Sequence, residues 1–323
     1  MDIKKRIKNN RILVMADRWR KRNFQRNRIM QDHRKGTLHE NKKIVMIHWD
    51  NPGAGLFAYY TQMLGLLAYV GSKGYVPVVD MENYPNPYLL KDEVGKVNAW
   101  EFFWEQPGGI RLEEACHAAR LFTNNGRGAT YFPSLNIHAL ESRKETAYWR
   151  RAAKQYIRLK KDVWEACEER YRELIAAEDK VLGVLCRGTD YIYQKPSGHP
   201  VQPEIERVLE KTEKVHKEFG CTKIFLATED PEFAERFRET FGEMVVMNQR
   251  NFVNYDPQKI KWINDYVEDT GDGQREKGLD YLKTIYILSK CDCLVAGRTS
   301  GSLGAYMMSE GYEYAYFWDL GEY

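Results

Sequence analysis

The chain has 323 residues, of which 43% are hydrophobic and 13% aromatic. This length predicts two domains of ordinary size, and the apolar content is sufficient for two cores. No apolar run reaches the roughly eighteen residues of a membrane span, and the amino terminus is charged, which argues against a signal peptide. The six cysteines are scattered through predicted helices and strands, a distribution typical of a reduced, cytoplasmic protein.

Residues 1–43 are predicted to form a basic arm on an otherwise acidic chain. They hold fifteen Lys or Arg and four Asp or Glu, a balance of +11 within a total of +3, which leaves −8 for the remainder. Residues 18–28 interleave cations with Trp19 and Phe24, a pattern compatible with an anionic membrane surface, nucleic acid or a solvated helix. The rest of the chain is acidic and lacks a groove-binding motif, so we favour the membrane-facing or solvated helix.

The first half begins with a strand–helix–strand unit. Residues 44–49 predict a strand, residues 55–71 a helix and residues 75–79 a second strand. After less regular sequence, residues 142–177 predict one long helix that carries the chain into the second half. The aromatic residues between these elements are either a sugar-stacking wall or loop-anchoring core, and core is the commoner case. They are Tyr84, Tyr88, Trp100 and Trp104.

The second half alternates more regularly between strands and helices. Strands are predicted at residues 181–186, 223–227, 244–247, 293–296 and 314–317, and helices at residues 203–219, 231–241, 279–289 and 303–309. Such alternation is typical of a parallel, doubly wound sheet. The chain therefore predicts two Rossmann-like halves, residues 44–177 and residues 178–323, that face a cleft.

Polar residues follow three of the predicted strands in this second half. The first strand ends abruptly at Arg187 and Asp190, at the carboxyl edge where open α/β sheets keep their ligand crevice. The other two loops are Thr228-Glu229-Asp230 and Arg298-Thr299-Ser300-Gly301-Ser302. Guanidinium groups, hydroxyls and backbone N–H groups at a helix start are the donors that hold phosphate oxygens. Taken singly, Thr228 and Ser300 are more often helix starts than ligand groups, and Arg298 has a salt bridge as its alternative explanation. The occurrence of all three loops after strands is what favours a ligand site.

Three motifs in these segments resemble those of the fucosyltransferase superfamily. They are CRGTD at 186–190 with Gly198-His199-Pro200, IFLATEDP at 224–231, and LSKCDCLV followed by TSGS within 288–302. The pattern is most similar to that of the α-1,6-fucosyltransferases, and nodulation and protein O-fucosyltransferases are more distant. The resemblance covers residues 181–308. In the first half it extends only to a Gly-rich turn at Gly53 and Gly55 and to the strand at 76–80.

The resemblance implies a GT-B enzyme, built of two Rossmann-like doubly wound domains, that transfers fucose from GDP-fucose with inversion onto a glycan or glycoconjugate. Residues 178–323 would bind the donor substrate, and residues 44–177 would lie on the acceptor side; no other cofactor is implied. Arg187 would clamp the β-phosphate, with Asp190 beside it and Glu229 in the nucleotide pocket. The remaining donor-site candidates are His199, Thr228, Asp230, Arg298, Thr299, Ser300, Gly301, Ser302, Gly53 and Gly55.

The chemistry of the transfer supports Arg187 independently of the resemblance. Cleavage of the sugar–phosphate bond leaves negative charge on the diphosphate, which a fixed fork of donors stabilises without a metal. Asp269 and Asp272 lie in a Gly-rich acidic segment that is better explained as surface loop than as a metal site. We therefore predict a metal-independent transfer.

The chain departs from the family pattern at three positions. Leu185 replaces the histidine that often opens the first motif. Gly188 stands where the α-1,6 enzymes have a second arginine, and Lys195 stands where they place a carboxylate thought to act as base. Asp190 is then the first candidate for the general base and Glu229 the second.

Two alternatives stay open: a different nucleotide-sugar donor, or a catalytically silent nucleotide- or glycan-binding protein. A bacterial, cytoplasmic enzyme whose arm contacts the inner face of the membrane would suit a glycolipid acceptor.

Overall fold

A computed structural model describes residues 16, 29–32, 36–124, 126, 128, 142–248 and 273–323, with the exception of the Asp190 side chain. The basic segment 18–28 and the acidic segment around residues 269–272 lie outside these described residues, so the predicted membrane contact of the arm stays a prediction. Within the described ranges, no helix combines the length and the apolar character needed to cross a bilayer.

The elements follow one another as an alternation of strands and helices. The strands are β1 (Met30–Gln31), β2 (Ile44–Ile47), β3 (Val76–Val79), β4 (Leu121–Thr123), β5 (Val181–Leu185), β6 (Lys223–Ala227), β7 (Val245–Val246), β8 (Cys293–Ala296) and β9 (Tyr314–Phe317). The α-helices are α1 (Leu56–Gly71), α2 (Leu112–Cys116), α3 (Arg143–Tyr156), α4 (Lys161–Leu174), α5 (Thr189–Gln194), α6 (Ile205–Phe219), α7 (Pro231–Phe241), α8 (Gly273–Lys290) and α9 (Ser300–Met308). Short 3₁₀ helices cover Ala99–Phe102 and Gly242–Met244.

The second sheet confirms the predicted parallel, doubly wound arrangement. Its strand order is β7-β6-β5-β8-β9, and every neighbouring pair is parallel. The order reverses between β5 and β8, which is the topological switch point where open α/β sheets bind ligands at the carboxyl ends of their strands. The loops that follow β5 and β8 therefore lie side by side at this switch point.

The first sheet has the order β1-β4-β2-β3, with β2 parallel to both β3 and β4. Its edge strand β1 is antiparallel to β4 and comes from the segment that the sequence predicts as a basic arm. A bridge between Leu38 and Ala118 attaches the same segment a second time. The described part of the arm after residue 28 is thus joined to the first sheet.

The predicted helix over residues 142–177 is wrong as a single element, because it is broken into α3 and α4. At the break the backbone pairs with a distant segment: the Glu105 N–H donates to the Arg158 carbonyl at 2.9 Å, and the Lys160 N–H donates to the Phe103 carbonyl at 3.2 Å. These bonds replace helical ones. They are invisible to local periodicity because their partners are more than fifty residues apart.

A continuous apolar core joins the two sheets, and α9 packs on α1 at its centre. Gly304 of α9 lies directly on the Phe57 ring, so that a Cβ at position 304 would overlap the ring. Phe57 also meets Tyr281 of α8 edge to face, with 5.5 Å between the ring centroids. The first turn of α1 and the first half of α9 are therefore close neighbours across the two halves.

Candidate active site

Strand β5 carries Arg187 to the switch point. All five residues of β5 are buried, as expected of a parallel strand covered on both faces. Strand pairing continues to the Cys186 N–H, which donates to the Ala227 carbonyl at 3.1 Å, and to the Leu185 carbonyl, which accepts from the Gly297 N–H at 2.9 Å. Arg187 is the next residue of the chain, so its side chain leaves the sheet beside the loop that follows β8.

The Arg187 guanidinium is held by two other residues of the site. Its Nε donates to Glu229 Oε1 at 3.3 Å, and its guanidinium carbon lies 4.6 Å from the centroid of the Tyr191 ring. The Thr189 hydroxyl donates to the same Glu229 oxygen at 2.9 Å. The two side chains of the ion pair are only 20% and 14% exposed, so water screens this pair weakly. Glu229 is thus paired with both Arg187 and Thr189, and its role as general base stays a prediction.

The second loop contacts Gly188 and caps the amino terminus of α7. Asp230 accepts hydrogen bonds from the Glu232 N–H at 2.9 Å and the Phe233 N–H at 3.3 Å, and Pro231 begins the helix. A Cβ at position 188 would overlap the Asp230 carboxylate, which explains why glycine and not a second arginine stands there. Burial raises the pKa of Asp230 above its usual range.

Thr228 belongs to the same turn. Its hydroxyl accepts from the Asp230 N–H at 3.2 Å, and its side chain is almost completely buried. The structure therefore places Thr228 and Asp230 as turn and cap residues directly behind the Arg187 loop.

The third loop caps the amino terminus of α9 with a capping box. Thr299 Oγ1 accepts from the Ser302 N–H at 3.1 Å, while Ser302 Oγ accepts from the Thr299 N–H at 3.0 Å. Ser302 has no exposed surface, and its hydroxyl also donates to the Gly297 carbonyl at 2.7 Å. Both predicted hydroxyls therefore serve the helix start, and the groups of this loop that remain suited to a ligand are at Ser300 and Gly301 in the first turn.

Gly301 lies in close contact with a side chain of α8. A Cβ there would overlap the Tyr281 hydroxyl, so the backbone of the first turn of α9 sits directly on that side chain. Ser300 is half-buried. A helix amino terminus built this way is compatible with a phosphate group.

Arg298 and His199 each contact a side chain outside the three loops. Arg298 Nη1 lies 2.6 Å from Asp319 Oδ1, and the Arg298 side chain is 9% exposed. The structure therefore contains the salt bridge that the sequence offers as the alternative for Arg298. His199 is exposed, and its Nδ1 lies 3.2 Å from the Tyr191 hydroxyl. Through Tyr191, His199 is therefore connected to Arg187.

The Gly-rich turn of the first half lies at the start of α1. Gly53 is exposed, and a Cβ added to it would have no other atom within 4 Å, whereas Gly55 is the N-cap of α1 in extended conformation. Neither glycine has a positive φ. Space is therefore open at Gly53, but the backbone conformation does not demand glycine at either position.

The four aromatic residues noted in the first half differ in burial and in their contacts. Trp100 and Trp104 are fully buried and Tyr88 nearly so, which favours loop-anchoring core for these three. Tyr84 instead stacks on His48 at the end of β2, with ring centroids 3.8 Å apart and planes 3° apart. His48 in turn lies 3.5 Å from the exposed Asp50 carboxylate. The sequence analysis did not single out Asp50, although, like Arg187, it lies just beyond a buried strand.

No protein-family model and no curated protein matches the chain. Solved structures are similar in fold. A NodZ α-1,6-fucosyltransferase soaked with GDP-fucose shares 14% identity at a TM-score of 0.48, over 83% of this chain and 93% of its own. NodZ from Bradyrhizobium shares 14% at 0.46, over 82% and 92%. POFUT1 in complex with GDP-fucose shares 10% at 0.47, over 87% and 98%. Similarity of this degree concerns the outline of the fold and not the chemistry of the site.

Proposed function

We propose that this chain is an inverting glycosyltransferase that transfers fucose from GDP-fucose to a hydroxyl group of a glycan or glycoconjugate. The observation that carries the proposal is the position of Arg187, fixed by Glu229 and Tyr191 at the switch point beside the first turn of α9. The three motifs that resemble those of fucosyltransferases supply the identity of the donor. Residues 178–323 would form the donor side and residues 44–177 the acceptor side.

Arg187 and α9 would act on the leaving group. As the bond between the anomeric carbon and the phosphate oxygen breaks, its electron pair stays on the diphosphate, whose negative charge increases. A guanidinium that is already oriented stabilises this charge without further rearrangement. Backbone N–H groups at Ser300 and Gly301 would add the favourable end of a helix dipole. In this proposal the protein's own donors neutralise the diphosphate, so a metal ion has no necessary role.

Titration calorimetry with GDP, GDP-fucose, GDP-mannose, UDP-glucose and UDP-N-acetylglucosamine, in the presence of EDTA, tests the proposal. We expect GDP and GDP-fucose to bind and the uridine nucleotides not to bind. Release of GDP from GDP-fucose, followed in the same samples, separates an enzyme from a silent binding protein. Binding of another nucleotide sugar in place of GDP-fucose would contradict the choice of donor, and binding without turnover would contradict the enzymatic function.

The role of Glu229 gives a prediction at the same site. We expect Glu229→Gln to keep the rate of GDP release within about tenfold of the wild-type rate, because the amide oxygen can still accept from Thr189 and Arg187. A general base would instead cost about 10²- to 10⁴-fold when converted to an amide. The measurement is the steady-state rate with saturating GDP-fucose. Thr189→Val, which removes one donor to Glu229, is the matched variant and should resemble Glu229→Gln.

A further inference from the structure

The carboxyl end of β2 carries a paired histidine and aspartate. His48 is the first residue after β2, and its imidazole is stacked on Tyr84. Its Nε2 lies 3.5 Å from Asp50 Oδ1. The two side chains differ in exposure: that of His48 is 9% exposed and that of Asp50 is 60% exposed. The carboxylate therefore meets solvent while the imidazole behind it is fixed.

The backbone around this pair is held from β4. The His48 N–H donates to Asn124 Oδ1 at 3.1 Å, and Asn124 Nδ2 donates to the His48 carbonyl at 2.7 Å. The Asp50 N–H donates to the Gly126 carbonyl at 2.8 Å. Gly126 has a φ of +73° and touches both side chains so closely that a Cβ there would overlap the Asp50 carboxylate. Backbone thus encloses one side of the His48–Asp50 pair, and the Asp50 carboxylate lies on the other, solvent-exposed side.

The pair is connected to the donor side through α1 and α9. Asp50 lies in the loop between β2 and α1, and Phe57 in the first turn of α1 packs on Gly304 of α9. Phe57 also contacts Tyr281, on which Gly301 of α9 sits. The carboxyl edge of the first sheet and the carboxyl edge of the second therefore approach each other through α1 and α9, as the donor and acceptor sides of a transferase must.

Burial of the His48 imidazole favours its neutral form. Burial lowers the pKa of His48, and this effect exceeds the opposite effect of the Asp50 and Asp80 carboxylates. Asp80 itself accepts from the Glu82 and Asn83 N–H groups at 3.1 and 3.0 Å, so it is committed to a turn. With its proton on Nε2, a neutral imidazole would place an N–H 3.5 Å from Asp50 Oδ1 and would leave the carboxylate its negative charge.

We propose that Asp50 accepts the proton of the acceptor hydroxyl and that His48 is the residue that positions it. This inference rests on the proposed function. The acceptor oxygen forms a bond to the anomeric carbon, its proton passes to an Asp50 carboxylate oxygen, and the bond from that carbon to the phosphate oxygen breaks. The electron pair of the broken bond leaves with GDP. Arg187 stabilises the leaving group on one side of the crevice while Asp50 removes the proton on the other.

Asp50→Asn tests the proposal, with Asp92→Asn as the matched control because Asp92 is another exposed aspartate of the first half. Two quantities are measured: binding of GDP by calorimetry, and release of GDP from GDP-fucose with water as the acceptor. We expect Asp50→Asn to bind GDP as the wild type does and to lose about 100-fold or more in GDP release. Asp92→Asn should change neither quantity.

The outcomes separate this inference from the proposed function. GDP release by Asp50→Asn at a rate close to that of the wild type would overturn the role of Asp50 and leave the proposed function intact. A wild-type chain that does not bind GDP, or binds it and releases none from GDP-fucose, would overturn both. Loss of GDP binding in Asp50→Asn would overturn the assignment to the acceptor side, because the residue would then belong to the donor site.

Two substitutions at His48 test its positioning role. His48→Phe keeps a ring to stack on Tyr84 but removes the donor to Asp50, whereas His48→Gln removes the ring and retains an N–H donor. We expect His48→Phe to lower kcat by about tenfold or more with little change in the KM for GDP-fucose, and His48→Gln to restore most of kcat. A role in packing alone would give the reverse order, with His48→Phe close to the wild type.

Discussion

Arg187→Ala is expected to weaken GDP binding by about 10- to 100-fold, because each hydrogen bond to a charged group contributes about 1.5–3 kcal/mol. The rate of GDP release from GDP-fucose should fall further, by about 10²- to 10³-fold, which is the usual cost of removing one donor to a developing negative charge. The difference between the two effects arises because the diphosphate carries more charge in the transition state than in the bound donor. Calorimetry and steady-state kinetics on the same preparation measure both.

Arg187→Lys and Arg236→Ala complete this experiment. Lysine keeps the charge but loses the planar fork, so we expect it to recover part of the binding and little of the rate. Arg236 forms a surface pair with Glu206 at 3.2 Å, and its removal should leave binding and rate unchanged. Removing Arg187 also leaves Glu229 largely buried with one fewer partner, so the thermal midpoint of each variant must accompany the comparison. Wild-type GDP affinity in folded Arg187→Ala would contradict the donor site described above.

Gly304→Ala is expected to lower the free energy of unfolding by about 1–3 kcal/mol, because the new methyl group would occupy the position of the Phe57 ring. Alanine gains about 1 kcal/mol over glycine in helix propensity, which reduces the net loss without removing it. Phe57 cannot easily move aside: it is fully buried and lies between Tyr60 and Tyr281, at centroid distances of 5.3 and 5.5 Å. Chemical denaturation of the two proteins measures the difference.

Gly53→Ala is the matched control for Gly304→Ala, since Gly53 is exposed and has open space around its Cβ position. It should leave the denaturation midpoint almost unchanged. The double variant Phe57→Leu with Gly304→Ala should regain part of the lost stability, because the smaller side chain makes room for the methyl group. Equal midpoints for Gly304→Ala and Gly53→Ala would show that α9 and α1 do not pack as closely as the structure has them.

The second half is where sequence reasoning succeeded best, because its signals are local. The strands at Lys223–Ala227, Cys293–Ala296 and Tyr314–Phe317 and the helix at Pro231–Phe241 have the predicted bounds. Each strand is a short apolar run between turns, and the helix begins with an Asp-Pro cap. Elements whose existence depends on distant partners were missed. Strand β1 exists only because it pairs with β4, some ninety residues later in the chain.

The sequence by itself determined the α/β class, the parallel second sheet and the appearance of Arg187 at a strand end, since buried strands and turns leave their pattern in adjacent residues. Only the tertiary structure decided which side chains meet there. Glu229 reaches Arg187 over 42 positions of the chain, and Asn124 fixes His48 over 76. Contacts of this kind depend on which strands are neighbours and how helices cross. Local periodicity carries no information about that choice, so the partners of Arg187 and the contact of Asn124 with His48 emerge only once the sheets are assembled.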